Sequence, residues 1–517
     1  MSKPRQAEES QDQIFEVELE EAQNNKDERS LKQDENLIRD QVQQTNFTNI
    51  FCNKPPSRKM SYLIVLTSHF LVGVVQAYYS VIVMELQEKK ATYDDQALFS
   101  IANYPYVIKI IFAPLVDVFF FSRIGRCKTW VVFGCFLLAA IFIYISPNAD
   151  ADINPHNVTS LTIQWIMISF VLIIIQISFK TWILKLFDEK EVGKMAYVTH
   201  IGGLFGGFFG MNIFVPLNSV PWLNRHLFTS HPVSSPILSH RTMQLIIAFF
   251  TIGLAVFVLL FVAEKVTEVG NHKMHLRQVL KTLPRLFTFR PMRDFLIFCA
   301  AVKTLRGLFE STVNLMLIDE GMQRTTLVSV QTVLFPVTVF ASLYMMRFVV
   351  KGQMMRWSYW LFQINSALLL FRLIIYLDLK HNHNRARTIV LLYIDGIIDK
   401  LIAPRIFLIG FIIFIAPKEI GTTFISFMYC WLNIFYEMPM TVGLKICKNR
   451  FISYEWMYFL ANAIQIIITS LFKSYCYDID TKDKGYFDGN DHIRMEGNIE
   501  DRPLLTGGSE REKENRR

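Results

Sequence analysis

Between residues 60 and 474 the chain is a succession of apolar runs separated by short polar loops, each run about as long as a helix needs to cross a hydrocarbon core of about 30 Å. Six come first: about 61 to 84, about 97 to 121, about 129 to 146, Ser160 to Phe187, the glycine-rich Ala196 to Pro216, and Thr242 to Ala263. Six more follow: Arg293 to Leu317, Thr326 to Val349, Ser358 to Leu377, about Thr388 to Pro417, Gly421 to Cys447, and Ile452 to Ser474. Between the two sets lies a connector, residues 264–292. Its segment "KMHLRQVLKTLPRLFTFRP" is basic, with apolar residues spaced for an amphipathic helix on a membrane surface.

This pattern predicts an all-α polytopic membrane protein with about twelve transmembrane helices in two six-helix bundles, residues 60–263 and 293–474. Six plus six around a long basic loop is the layout of the major facilitator fold, in which two related bundles rock about a site near the bilayer midplane. Polar tails, residues 1–59 and 475–517, flank the bundles. The first has no apolar core and no cleavage site, so it reads as a disordered tail and not as a leader. Lys and Arg are modestly commoner in the loops on the N-terminal side, which predicts both tails inside.

Composition agrees with a lipid setting: of 517 residues, 52% are hydrophobic and 19% charged, where soluble chains carry about 25% charge. The net charge of +8 is dispersed over short loops and forms no stripe of the kind that binds nucleic acid. The seven cysteines show neither a close pair nor metal-ligand spacing, and are expected to be small buried hydrophobes. No nucleophile, metal or phosphate-loop motif is present, so no enzyme, metal or cofactor is expected.

The informative residues are ionisable groups inside the runs, which face a cavity or pair with one another because bare charge in hydrocarbon is costly. They are Lys109 and Asp117 in the second run, Lys180 in the fourth, Lys303, Arg306 and Glu310 in the seventh, Asp395, Asp399, Lys400 and Arg405 around the tenth, and Glu437 in the eleventh. Runs four, seven and ten line the central cavity in a facilitator fold. Lys180, Lys303, Arg306 and Arg405 are therefore candidate contacts for a phosphorylated anion, and Lys109, deep in the second run, is a further one, the other reading being structural ion pairing. Asp117, Arg126 and Lys128 form a candidate gating cluster at the end of the second run. In "GGLFGGFFG", Gly202, Gly206 and Gly210 give a small-residue face at four-residue spacing, suited to close helix packing or to a hinge.

The segment "YDDQALFSIANYPYVIKIIFAPLVDVFFFSRIGRCKTW", Tyr93 to Trp130, resembles the acetyl-coenzyme A transporter family of the major facilitator superfamily. Tyr93, Asp95, Gln96, Ser100, Pro105, Lys109, Ala113, Pro114, Asp117, Gly125, Arg126, Lys128 and Trp130 are in register with its pattern. Further matches are "KEVGKMAYVTHIGGLFGGFFG", Lys303, "LMLIDEG", "GTTF", Asn433, Pro439 and Thr441.

The resemblance implies alternating-access transport of acetyl-coenzyme A or a related anionic metabolite across an organelle membrane. Where the family's fourth span reads Gln-Asp-Ile-Ala-Val-Asp-Gly-Trp, this chain has "IQISFKTW", with Gln176 and Lys180 at the positions of the two acids. Met316, Gly203, Phe435 and Tyr436 also depart from the pattern. These departures open a rival reading: a transport-inactive relative serving as a structural subunit of a large membrane assembly, such as a respiratory one, with its tails on other chains. "EDRPLL" and the sequon at Asn157 point to endomembranes, and the rival reading to the mitochondrial inner membrane.

Overall fold

The computed structural model describes residues 47–48, 56–112, 116, 120–121, 124–186, 192–265, 290–309, 312–348, 352–401, 404–415, 421–448 and 454–482. Nearly all of this is helix. The first half holds α1 (Arg58–Glu88), α2 (Tyr93–Ser100), α3 (Arg126–Ile145), α4 (Val158–Leu186), α5 (Val192–Gly207) and α6 (His240–Phe261). The second holds α7 (Arg290–Phe309), α8 (Thr312–Asp319), α9 (Arg324–Val333), α10 (Phe335–Met345), α11 (Met354–Asn382), α12 (Arg385–Leu401), α13 (Pro404–Ile415), α14 (Gly421–Lys448), α15 (Tyr454–Leu471) and α16 (Lys473–Ile479). A two-residue antiparallel pair joins β1 (Phe47–Thr48) to β2 (Glu264–Lys265), so part of the polar N-terminal segment is held against the start of the connector.

Hydrocarbon offers backbone groups no partners, so apolar runs of this length close their own hydrogen bonds as helices. Helix starts are marked by side-chain caps: Ser57 accepts from the Met60 amide, Ser239 from that of Thr242, and Thr92 and Asp95 form a capping box. Large apolar side chains left exposed, among them Tyr144, Phe340 and Leu471, form the lipid-facing surface.

Among the described residues, six helices are long and apolar enough to cross a membrane, or eight if two bent pairs each count as one span. The protein is thus an integral multi-pass membrane protein. Expected spans two, seven, ten and eleven fall outside that set. The second is the instructive case: its helix stops at Ser100 and continues as 3-10 turns over Ile101–Val107 and Lys109–Ile111. Pro105, which has no amide hydrogen to give, lies inside the first of them. The bend between α9 and α10, 46°, falls next to Pro336.

The glycine face serves packing. A Cβ on Gly202, Gly206 or Gly210 would lie 2.6, 2.1 or 2.5 Å from the carbonyl oxygen of Leu66, Phe70 or Val74, so α1 rests directly on α5 and the π-helical turn after it. In the second half, Gly307 of α7 meets the Tyr436 backbone of α14 in the same way. The five described cysteines, Cys127, Cys135, Cys299, Cys430 and Cys476, are buried and free. The connector's expected surface helix lies outside the described residues.

Candidate functional site

A cavity of about 560 Å³ opens between the two halves, within the size range of small-molecule sites. The first half contributes Gln76, Tyr79 and Ser80 of α1, Gln96 and Ser100 of α2, Asn103 and Tyr106 of the following turn, and Trp165 and Ser169 of α4. From the second half come Lys303 of α7, Asn314 of α8, Gln331 of α9, and Asn433, Tyr436 and Glu437 of α14. The lining is rich in amides and hydroxyls, and among the described residues Lys303 and Glu437 are the charged ones in it. One Glu437 oxygen is buried without a hydrogen bond. Of the two adjacent aromatics of α14, Tyr436 lines the cavity and Phe435 packs on Trp431 with ring centroids 4.8 Å apart.

The halves are zipped together along two helix pairs. The Ser100 hydroxyl meets that of Thr441 at 2.6 Å, Asn433 donates to the Tyr106 carbonyl at 3.3 Å, and the Cys430 thiol to that of Val107 at 2.5 Å. The broken second span therefore has a use, since carbonyls released from helical bonding accept from α14. On the other side Asn212 donates to Thr332 at 3.0 Å, His200 meets Ser342 at 3.0 Å, and Phe208 packs on Phe335.

Beyond the cavity, at the C-terminal end of α1, a buried ionic clasp joins the halves. Arg324 reaches Glu85 at 2.5 Å, Glu88 at 2.9 Å and the Asn218 side-chain oxygen at 3.0 Å, while its amide donates to Glu88 at 2.8 Å. Glu85 also meets His240 at 2.7 Å and Lys89 at 2.9 Å. Asp319 accepts from Gln87 at 2.7 Å and from the Tyr93 hydroxyl at 2.6 Å. Glu85 and Arg324 were not singled out in the sequence. They sit at the ends of apolar runs, where charge is ordinary, and the one hint was the Glu85–Lys89 spacing.

The sequence candidates divide by position. Lys303 lies in the cavity wall. Lys109 and Lys180 lie past Tyr106 and Asn433, their ammonium groups 4.6 and 3.7 Å from the centroid of the same ring, Tyr429. Arg306 is buried on α7, one turn from Lys303. Asp395 and Asp399 pair with Arg372 of α11 at 2.8 and 2.9 Å, which is structural pairing within the second bundle. The Arg405 side chain, Asp117 and Glu310 lie outside the described residues.

Of the candidate gate, Lys128 is buried and donates to the carbonyls of Leu259 and Val262, both at 2.9 Å, at the end of α6. Glu264 accepts from the amides of Cys127 and Lys128 at 3.2 and 2.9 Å at the start of α3. Each side chain thus complements the dipole of a neighbouring helix, locking α3 to α6. Arg126 opens α3 beside them.

Residues 60–277 match the family model described as acetyl-coenzyme A transporter 1, which bears out the resemblance over the first bundle. The matched stretch contains Lys109, Asp117, Arg126, Lys128 and Lys180, while the matching segments of the second bundle lie beyond it. An uncharacterised protein of Schizosaccharomyces pombe is 24% identical over 242 residues, 46% of this chain and 45% of that protein. An uncharacterised membrane protein of Saccharomyces cerevisiae is 27% identical over 168 residues, 29% of this chain and 30% of that protein. The matched stretches thus span less than half the length of these curated relatives.

Among solved structures, the POT family transporter PepTSo is similar at a TM-score of 0.51 and 12% identity, covering 83% of this chain and 100% of that one. The Escherichia coli xylose transporter XylE, inward open, is similar at a TM-score of 0.51 and 12% identity, over 80% of this chain and 94% of that one. These likenesses show the fold: the chain has the major facilitator architecture expected from its layout.

Proposed function

We propose that the protein carries acetyl-coenzyme A or a related anionic metabolite across an organelle membrane, by alternating access of its two bundles to the central cavity. The observation that carries this reading is the cavity, about 560 Å³, walled by both halves and holding Lys303. Rocking one bundle against the other would expose such a site to each side in turn. The match of the first bundle to the acetyl-coenzyme A transporter model supports the substrate class. Amide and hydroxyl groups around the wall suit a polar, multifunctional molecule, and Lys303 supplies a point charge for an anionic group. Arg306, buried one turn away on α7, adds positive potential to that wall. Arg405 is proposed as a further contact on the sequence pattern alone.

Uptake of labelled acetyl-coenzyme A by proteoliposomes holding the purified chain tests the reading. Saturable uptake is expected, falling about tenfold or more in Lys303→Ala, the loss of one charge-assisted contact. Absence of uptake from folded protein sinks transport and leaves the structural-subunit reading standing.

A further inference from the structure

We propose that Lys109, Lys180 and Tyr429 form a phosphate-binding subsite beside the central cavity. The inference rests on the transport reading and specifies where the phosphate end of the substrate sits. Lys109 is 5% exposed, and its ammonium and that of Lys180 both lie over the Tyr429 ring. The two come from different elements, the turn Lys109–Ile111 and helix α4, so the fold and not local sequence brings them together. Neither ammonium has a hydrogen bond or an ion pair among the described residues; the ionisable neighbours in electrostatic reach are each other, His69 and Cys430. Two like charges withdrawn from water without a counter-ion are costly, and an arrangement of this kind is completed by an anion. Each ammonium offers three donors and no acceptor, which suits the several acceptor oxygens of a phosphate group.

The subsite shares two helices with the cavity wall. On α14, Tyr429 is one turn from Asn433 and two from Glu437, and on α4 Lys180 follows Trp165, Ser169 and Leu172 at helical spacing. The Cys430 and Asn433 bonds to the Val107 and Tyr106 carbonyls fix the turn carrying Lys109 against α14. A ligand with one phosphate group here would place a further anionic group toward Lys303.

The test measures binding to the full chain in phosphatidylcholine nanodiscs, using 3′,5′-ADP as the phosphate-bearing probe and pantetheine as the phosphate-free one. Expected is 3′,5′-ADP binding that Lys109→Gln and Lys180→Gln each weaken about tenfold or more and that Lys180→Arg retains. Pantetheine binding should be indifferent to both Gln variants. Unchanged 3′,5′-ADP binding in the two Gln variants overturns the subsite. A second arm adds phosphatidate to the nanodiscs: stabilisation by phosphatidate that Lys180→Gln removes, with no response to 3′,5′-ADP, assigns the cations to a lipid headgroup and overturns the substrate subsite. The subsite and the transport reading fail separately. Lysine-dependent 3′,5′-ADP binding without acetyl-coenzyme A uptake keeps the first and sinks the second, whereas uptake unaffected by either Gln variant does the reverse.

Discussion

At the Glu88 end of the cavity Arg324 is met by Glu85 and Glu88, and Glu85 in turn by His240 and Lys89, so cations and carboxylates are interleaved. At the Lys109 end two ammonium groups face one aromatic ring with no carboxylate paired to either among the described residues. Both regions are buried and both join the halves, through α1 to α9 in one case and through α4 and the second span to α14 in the other. The clasp is complete as it stands, and its charges are consumed in closing the molecule. The lysine pair is incomplete until an anion arrives, so its charge remains available to a ligand.

Breaking the complete end should have the largest effect. Arg324→Ala leaves buried Glu85 without its guanidinium partner, and removing one member of a buried pair costs about 3–5 kcal/mol. Denaturant unfolding in detergent measures the loss. A cysteine placed at Ser80, in the cavity wall, should at the same time react faster with a membrane-impermeant thiol reagent added from the clasp side. A stability change under about 1 kcal/mol, with no change in labelling, would mean the clasp does not hold that end shut.

Completing the incomplete end should work in the opposite direction. Lys180→Glu replaces the like charge near Lys109 by an opposite one over the same Tyr429 ring, an attraction of about 2 kcal/mol in a medium of effective dielectric constant about 20. The variant should therefore unfold at higher denaturant than the parent when no ligand is present, and should lose its response to 3′,5′-ADP. A variant less stable than the parent would show that the two ammonium groups are already satisfied, and the contrast between the two ends would disappear.

Much of this was legible from the residues. Run length and apolarity gave the helices and the two bundles, and four-residue glycine spacing gave the α1–α5 contact through Gly202, Gly206 and Gly210. The second span was read as one continuous helix although Pro105 was in view, because hydropathy registers the apolar character of a turn as readily as that of a helix. Lys303 in the cavity followed from its place in the seventh run. The clasp did not, since Glu85 and Arg324 are 239 residues apart and each ends its run like any interfacial charge. Tyr429 was equally hidden: an aromatic in an apolar run shows its role only when two lysines from other elements are seen over its ring.

Between the two ends lies the neutral contact of Ser100 with Thr441, which supplies the smallest effect and a reference for the other two. In Ser100→Ala the Thr441 hydroxyl keeps its bond to the Glu437 carbonyl at 3.2 Å, so no buried group is orphaned. The cost should be that of one neutral hydrogen bond, about 0.5–1.5 kcal/mol, read from the same unfolding series. Because the contact joins the halves without carrying charge, its loss should leave 3′,5′-ADP binding unchanged. Coupling of Ser100→Ala to Arg324→Ala should also stay below about 0.5 kcal/mol in a double-mutant cycle, as for independent sites. A larger coupling would mean that the halves move as one cooperative interface, and that the clasp and the lysine pair are two readouts of a single closure instead of two separable devices.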